Sequence, residues 1–134
     1  MPKPIVLDAN AWLAVFLNEE NSDWVRELIE TRPLLAPELI RYEAANGLLY
    51  AGRKRRLVIQ KSAFENLLEV IGEFPIQTVP MHDWWKESIR LVQEYSLTFY
   101  DASYVAVAVF LGAPLLSLDQ QILDVMKQEK VPCA

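Results

Sequence analysis

Four carboxylates stand among residues that otherwise read as protein interior. Asp8 follows the apolar run Ile5-Val6-Leu7, and Asp119 follows Leu115-Leu116-Ser117-Leu118. Asp101 opens the most apolar helical stretch of the chain, and Glu43 lies within Leu39 to Tyr50, where Leu39, Ala44, Ala45, Leu48 and Leu49 are core material. The remaining acids are ordinary: Glu19, Glu20, Asp23, Glu27 and Glu30, then Glu65, Glu69 and Glu73, fall on or before polar helix faces. Taken singly, the four unusual acids have simple structural uses. The aspartates suit helix N-caps, and Glu43 can pair with Arg41, Arg53 or a surface lysine. Taken together they suggest chemistry. Carboxylates gathered near one sheet edge repel one another unless they are protonated or hold a cation. Hard divalent ions such as Mg2+ and Mn2+ take oxygen ligands of this kind, with water and phosphate filling the remaining positions.

The elements that must carry these acids follow from the apolar pattern. Ile5 to Leu7, Leu34 to Ala36, Ile76 to Val79 and Leu115 to Leu118 read as short strands. Between them, helices are expected over Ala11 to Leu17, from Asn21 or Ser22 with Trp24, Val25, Leu28 and Ile29 inward, and from Pro37 to about Ala51. Further helices are expected over Lys61 to Ile71, over Trp84 to Tyr95 with Asp83 as cap, over Tyr100 to Leu111 and over Gln121 to Gln128. Gly72 and Gly112 mark helix exits. Short apolar strands alternating with helices predict an α/β fold, with a central parallel sheet of four to five strands flanked by helices. The carboxyl ends of such strands are where open α/β sheets place ligands, and Asp8 and Asp119 fall there. At 134 residues, one domain spanning 1–134 is expected.

Composition removes several other chemistries. A single cysteine, Cys133, leaves no internal disulfide or CxxC metal site, and a single histidine, His82, leaves no histidine cluster. Too few apolar residues precede Asp8 for a secretory signal core. The uncharged stretch Ala102 to Leu118 is broken by Gly112 and Pro114, so it reads as helix, turn and strand rather than a bilayer span. A cytoplasmic protein with no membrane contact is expected.

At this point the acids and their neighbours resemble a known family. Val6-Leu7-Asp8-Ala9-Asn10, Glu43 within Glu38-Leu39-Ile40-Arg41-Tyr42-Glu43-Ala44-Ala45-Asn46, Tyr100-Asp101-Ala102-Ser103-Tyr104, and Leu116-Ser117-Leu118-Asp119 are similar, in order, to the four acidic motifs of the PIN-domain family. Separations of 35, 58 and 18 residues between the acids fit its short, toxin-type members, and the resemblance covers essentially the whole chain. It implies a Mg2+- or Mn2+-dependent ribonuclease of the VapC toxin type, held by a cognate antitoxin protein and dimeric with itself. Asn10 stands where the family often has Ser or Thr, and Ser117 where it often has Thr. Both keep a side chain able to orient a ligating carboxylate or a metal-bound water. Asp8, Asp101 and Asp119 are expected as metal ligands, direct or through water. Glu43 is expected as a ligand or as acceptor of the attacking water's proton.

The substrate surface is less sharply marked. Arg53-Lys54-Arg55-Arg56 gathers four of the 13 basic residues. It reads either as a solvated helix end or as a phosphate-binding rim for RNA, which Arg41 and Lys61 can extend. His82 with Trp84 and Trp85 can stack a base or serve as loop, core or interface. Trp12, Phe16 and Trp24 can form a patch for a second copy or an antitoxin helix, or belong to the core. The alternative to an enzyme is a non-catalytic PIN-fold RNA-binding or scaffold module. A phospho-receiver or a DxD phosphatase fails at Asn10, where each requires a second acid. The charge balance, 13 basic against 18 acidic residues for a net −5, argues at first against nucleic acid. Setting aside the four unusual acids leaves about −1, and a bound cation would turn their site from repelling phosphate to attracting it.

Overall fold

The computed structural model describes residues 2–54 and 61–134. Its elements run β1 (Ile5–Leu7), α1 (Ala9–Phe16), α2 (Asp23–Thr31), β2 (Leu34–Pro37), α3 (Ile40–Lys54), α4 (Lys61–Glu73), β3 (Gln77–Val79), α5 (Met81–Glu94), α6 (Phe99–Leu111), β4 (Leu115–Leu116) and α7 (Gln120–Glu129). The strands form one parallel sheet in the order β3-β2-β1-β4. β1 pairs Val6 with Leu35 on one side and with Leu115 on the other. Beyond β4 the sheet gains one bridged position, Leu115 with Cys133. The parallel α/β expectation therefore holds, with four strands and that single extra bridge.

The order of the strands has a consequence for the acids. Chain connections lead from β1 to β2 and β3 on one side, while β4 returns to the other, so the topology reverses between β1 and β4. A crevice opens at the carboxyl ends of strands where such a reversal occurs. Asp8 ends β1 and Asp119 follows β4, so both stand at its mouth.

Burial explains why strands this short hold together. Every residue of β1 is fully buried, and the interior continues through the unbroken run Ala102 to Ala108 of α6. α6 packs across the sheet, and its largely apolar centre is what the sequence pattern requires of an element enclosed on most sides. Helices α1 and α3 approach closely at Gly47, where an added Cβ would lie 2.5 Å from Leu13 Cδ2. That contact brings α3, and Glu43 with it, up against the helix that starts at Asp8. Gly112 closes α6 in the left-handed conformation, at φ 61°, which glycine adopts without steric cost.

Four details differ from the sequence reading. Pro37 ends β2, opposite Val79, instead of opening α3. Pairing with β1 stops at Leu35, so Pro37 has only β3 beside it and its missing N–H costs no bond on the β1 side. α5 begins at Met81, with Pro80 in the cap position, and Asp83 lies in its first turn. β4 ends at Leu116, leaving Ser117 buried and Leu118 exposed. Trp24 faces solvent at 46% exposure, while Val25 and Ile29 carry the inward face of α2.

Candidate functional site

Asp8 is 2% exposed. Its backbone N–H donates to Leu116 O at 3.0 Å, tying the end of β1 to β4. Its carboxylate caps α1, accepting from Asn10 N at 3.4 Å, and its other oxygen accepts from Ser117 Oγ at 2.7 Å. The same Ser117 hydroxyl accepts the Asp119 backbone N–H at 3.2 Å. One buried serine thus sets the position of two acids from adjacent strands. Asp119 in turn caps α7, accepting from Ile122 N at 3.0 Å.

The other two acids arrive on helices. Asp101 lies in the first turn of α6, with its backbone N–H held by the capping hydroxyl of Thr98 at 3.1 Å. Glu43 lies in the first turn of α3, where Tyr104 OH donates to its Oε1 at 2.7 Å. Tyr104 is fully buried, and its hydroxyl ties Glu43 on α3 to α6. Sequence reasoning missed Tyr104. The signal available was a tyrosine in the largely apolar middle of α6, since a buried tyrosine hydroxyl needs a partner.

Electrostatics join the four acids into one system. Burial raises the Asp8 carboxyl to about 7, assisted by the charges of Glu43 and Asp101 and opposed by the Ser117 and Asn10 hydrogen bonds. Glu43 is raised by burial and by Asp101, against the Tyr104 hydrogen bond. Asp101 is raised by burial and by Asp119, against the Thr98 hydrogen bond. Among the described residues no ion pair places a basic side chain on any of the four. Arg41, one of the basic partners open to Glu43, donates instead to the carbonyls of Ile71, Phe74 and Ile76 at 2.7, 3.1 and 3.3 Å.

An all-oxygen, all-anionic donor set without a countercharge fits a hard divalent cation. Among the described residues no three acidic, histidine or cysteine side chains already enclose a common ion position.

The outlying candidates fare differently. Asn10 contributes its backbone N–H to Asp8, while its side chain stays exposed at the mouth. Arg53 is exposed at the end of α3; the Lys54 side chain, Arg55 and Arg56 lie outside the described residues. Arg41 clamps the end of α4 and does not extend a rim, and Lys61 faces Glu65 at 4.0 Å. His82 is exposed against Asp83 at 2.8 Å. Trp84 is buried with its indole N–H on Val79 O at 3.0 Å, whereas Trp85 is exposed and stacks on Phe99 with centroids 5.1 Å apart. Trp12 is core, but with Phe16 and Phe74 it also floors a groove of about 360 Å³ between α1, α2 and α4. No helix among the described residues is long and apolar enough to cross a membrane.

This fold and this set of acids match known proteins. The model of the PIN domain family matches residues 5–128, and the chain belongs to that family, in its VapC type. Ribonuclease VapC3 of Pyrobaculum aerophilum is 32% identical over 124 residues, which cover 90% of this chain and 92% of that protein. Exonuclease VapC9 of the same organism is 32% identical over 123 residues, covering 92% and 86%. Among solved structures, a chain of a toxin-antitoxin complex from Klebsiella pneumoniae shares the fold, with a TM-score of 0.59 at 19% identity over 86% of each chain.

Proposed function

We propose that the protein is a Mg2+- or Mn2+-dependent endoribonuclease, acting as the toxin of a toxin-antitoxin pair. The observation that carries this reading is the mutually repelling set Asp8, Glu43, Asp101 and Asp119 at the sheet's switch point, which no basic side chain among the described residues pairs with. Asp8, Asp101 and Asp119 would hold the ion, directly or through water. Bound there, it would lower the pKa of water and neutralise charge developing on the phosphorus oxygens. Glu43 has one oxygen committed to Tyr104, which leaves Oε2 to accept a proton from the attacking water. Burial raises its proton affinity, the direction that task needs. Ser117 holds Asp8 and Asp119 in register, so the ligand geometry is set before RNA arrives.

The surface supports the partners of that reading. The groove floored by Trp12, Phe16 and Phe74 is the right kind of seat for an amphipathic helix of an antitoxin. Met81, Trp85 and Ile89 expose an i, i+4, i+8 apolar stripe on α5, which we assign to pairing with a second copy. Arg53 and the basic residues following it are assigned to RNA phosphates.

The test is cleavage of a closed circular RNA and a mixed linear RNA pool with Mg2+ or Mn2+, against EDTA. Metal-dependent opening of the circle is expected. Digestion of linear RNA with the circle spared would make the enzyme an exonuclease. Binding without cleavage of either would make it the non-catalytic module.

A further inference from the structure

Beside Glu43 lies a pocket of about 370 Å³, lined by Leu39, Tyr42, Glu43, Asn46 and Tyr100. Tyr42 and Asn46 are four residues apart on α3 and so share a face, while Tyr100 comes from the first turn of α6, next to Asp101. Both tyrosines are strongly exposed, at 76% and 62%, so packing of the core does not account for them. Among the described residues neither ring stacks on another aromatic, and no hydrogen bond engages the Asn46 side chain. Two free aromatic rings, an apolar floor at Leu39 and one amide able both to donate and to accept together define a ligand. It is flat and aromatic, and it carries a hydrogen-bonding edge.

We infer that this pocket binds a single unpaired nucleobase of the substrate, adjoining the phosphate that is cut. The inference rests on the RNA-cleaving reading above and adds to it a seat for one base beside the acids. A base can enter between separate side chains only after leaving its stack, and aromatic platforms are the common means of holding it. Glu43 borders the pocket and Asp101 is the next residue after Tyr100, so a base held there places its own backbone phosphate at the acids. Asn46 faces the base edge and sets which base is preferred.

The test uses the full chain with Ca2+ and a 12-nucleotide RNA of mixed sequence carrying one 2-aminopurine, either single-stranded or in a duplex. Stacking quenches this fluorophore, so the readout does not depend on cleavage. Quenching by the single strand and not by the duplex is expected. Tyr42→Leu and Tyr100→Leu should each weaken binding about 5- to 100-fold and abolish the quench, while Tyr42→Phe, which keeps the ring, should bind as wild type does. Both tyrosines are exposed, so the variants should fold, which circular dichroism checks. Equal affinity and quench in the double leucine variant, or equal binding of the duplex, overturns the inference. If metal-dependent cleavage persists alongside that result, only this inference has failed. If wild type neither quenches the probe nor cleaves RNA, the reading beneath it has failed as well.

Discussion

Two groups of carboxylates in this molecule are built from the same residue types and behave oppositely. Between α5 and α7, Arg90 donates to Glu87 at 2.9 Å, to Glu94 at 3.2 Å and to Glu129, whose other oxygen accepts from Tyr95 OH at 2.7 Å. There the Arg90 guanidinium holds the Glu129 carboxyl below its ordinary range. At the switch point, Asp8, Glu43 and Asp101 are all held above theirs, by burial first and by the charge of neighbouring acids second, Asp119 being the one that acts on Asp101. The first group supplies its own cation and is complete as folded. Among the described residues the second is supported by hydroxyls and backbone N–H groups and by no cation. The contrast separates a structural staple from a site, although both are clusters of acids with a buried or half-buried tyrosine hydroxyl.

Substitutions test that contrast, beginning with the most damaging. Asp8→Asn should cut metal-dependent RNA cleavage by more than about 100-fold, beyond the loss expected from removing a supporting residue. The fold should be retained, because the amide keeps the volume and an acceptor oxygen. Initial rates and thermal melts check both halves, and wild-type rates in the variant would remove Asp8 from the site. Ser117→Ala should cost about 10- to 100-fold in activity, read as a higher metal concentration for half-maximal rate.

The two groups should also respond to pH with opposite sign. In EDTA, Asp8 keeps its proton up to about pH 7 in the fold, against 3.8 for the ordinary carboxyl. Between those values the folded chain holds a proton that the unfolded chain has released, so stability falls as pH rises from about 4 to about 7. Glu43 and Asp101 act in the same direction. Glu129 acts the other way: its stabilisation is present above its ordinary 4.5 and fades as pH drops below that. Thermal melts in EDTA should therefore show a lower Tm at pH 8 than at pH 5.5, and added Mg2+ should raise Tm far more at pH 8. Equal gains at both pH values would mean that the acids are not the binding site.

The staple should yield smaller effects and none on catalysis. Glu129→Gln should cost about 1 kcal/mol of stability, because Arg90 is partly solvated and keeps two other acids. Cleavage rates should be unchanged, and a large activity loss would show that the two clusters are coupled. Smallest of all, Arg53→Gln should reduce the salt dependence of RNA binding by about one unit of slope with little change in cleavage of bound RNA. An unchanged slope would place the RNA elsewhere.

Much of this was legible in the sequence because parallel strands buried on both faces leave uninterrupted apolar runs, and an acid ending such a run is conspicuous. Asp8 after Ile5-Val6-Leu7 and Asp101 before the largely apolar middle of α6 are examples. The order of the four acidic motifs then pointed to the family. What one-dimensional reading did not supply was contact over long separation. The Glu43–Tyr104 hydrogen bond joins residues 61 positions apart, and Ser117 reaches Asp8 across 109. The backbone contact of Asn10 with Asp8 carries no sequence signal. Nothing local to Arg41 indicates that three carbonyls at and just after the end of α4 turn toward it. The tolerance of Pro37 in β2 depends on where the neighbouring strand stops, which its own sequence does not show.

The central proposal is that Asp8, Asp101 and Asp119 hold a divalent ion beside Glu43. Mn2+ titration of the purified protein at pH 8, followed by electron paramagnetic resonance, tests it without any RNA. The account predicts one or two bound ions per chain in wild type, lost in the Asp8→Asn, Asp101→Asn double variant and retained in Glu129→Gln. Equal binding by wild type and the double variant would contradict it.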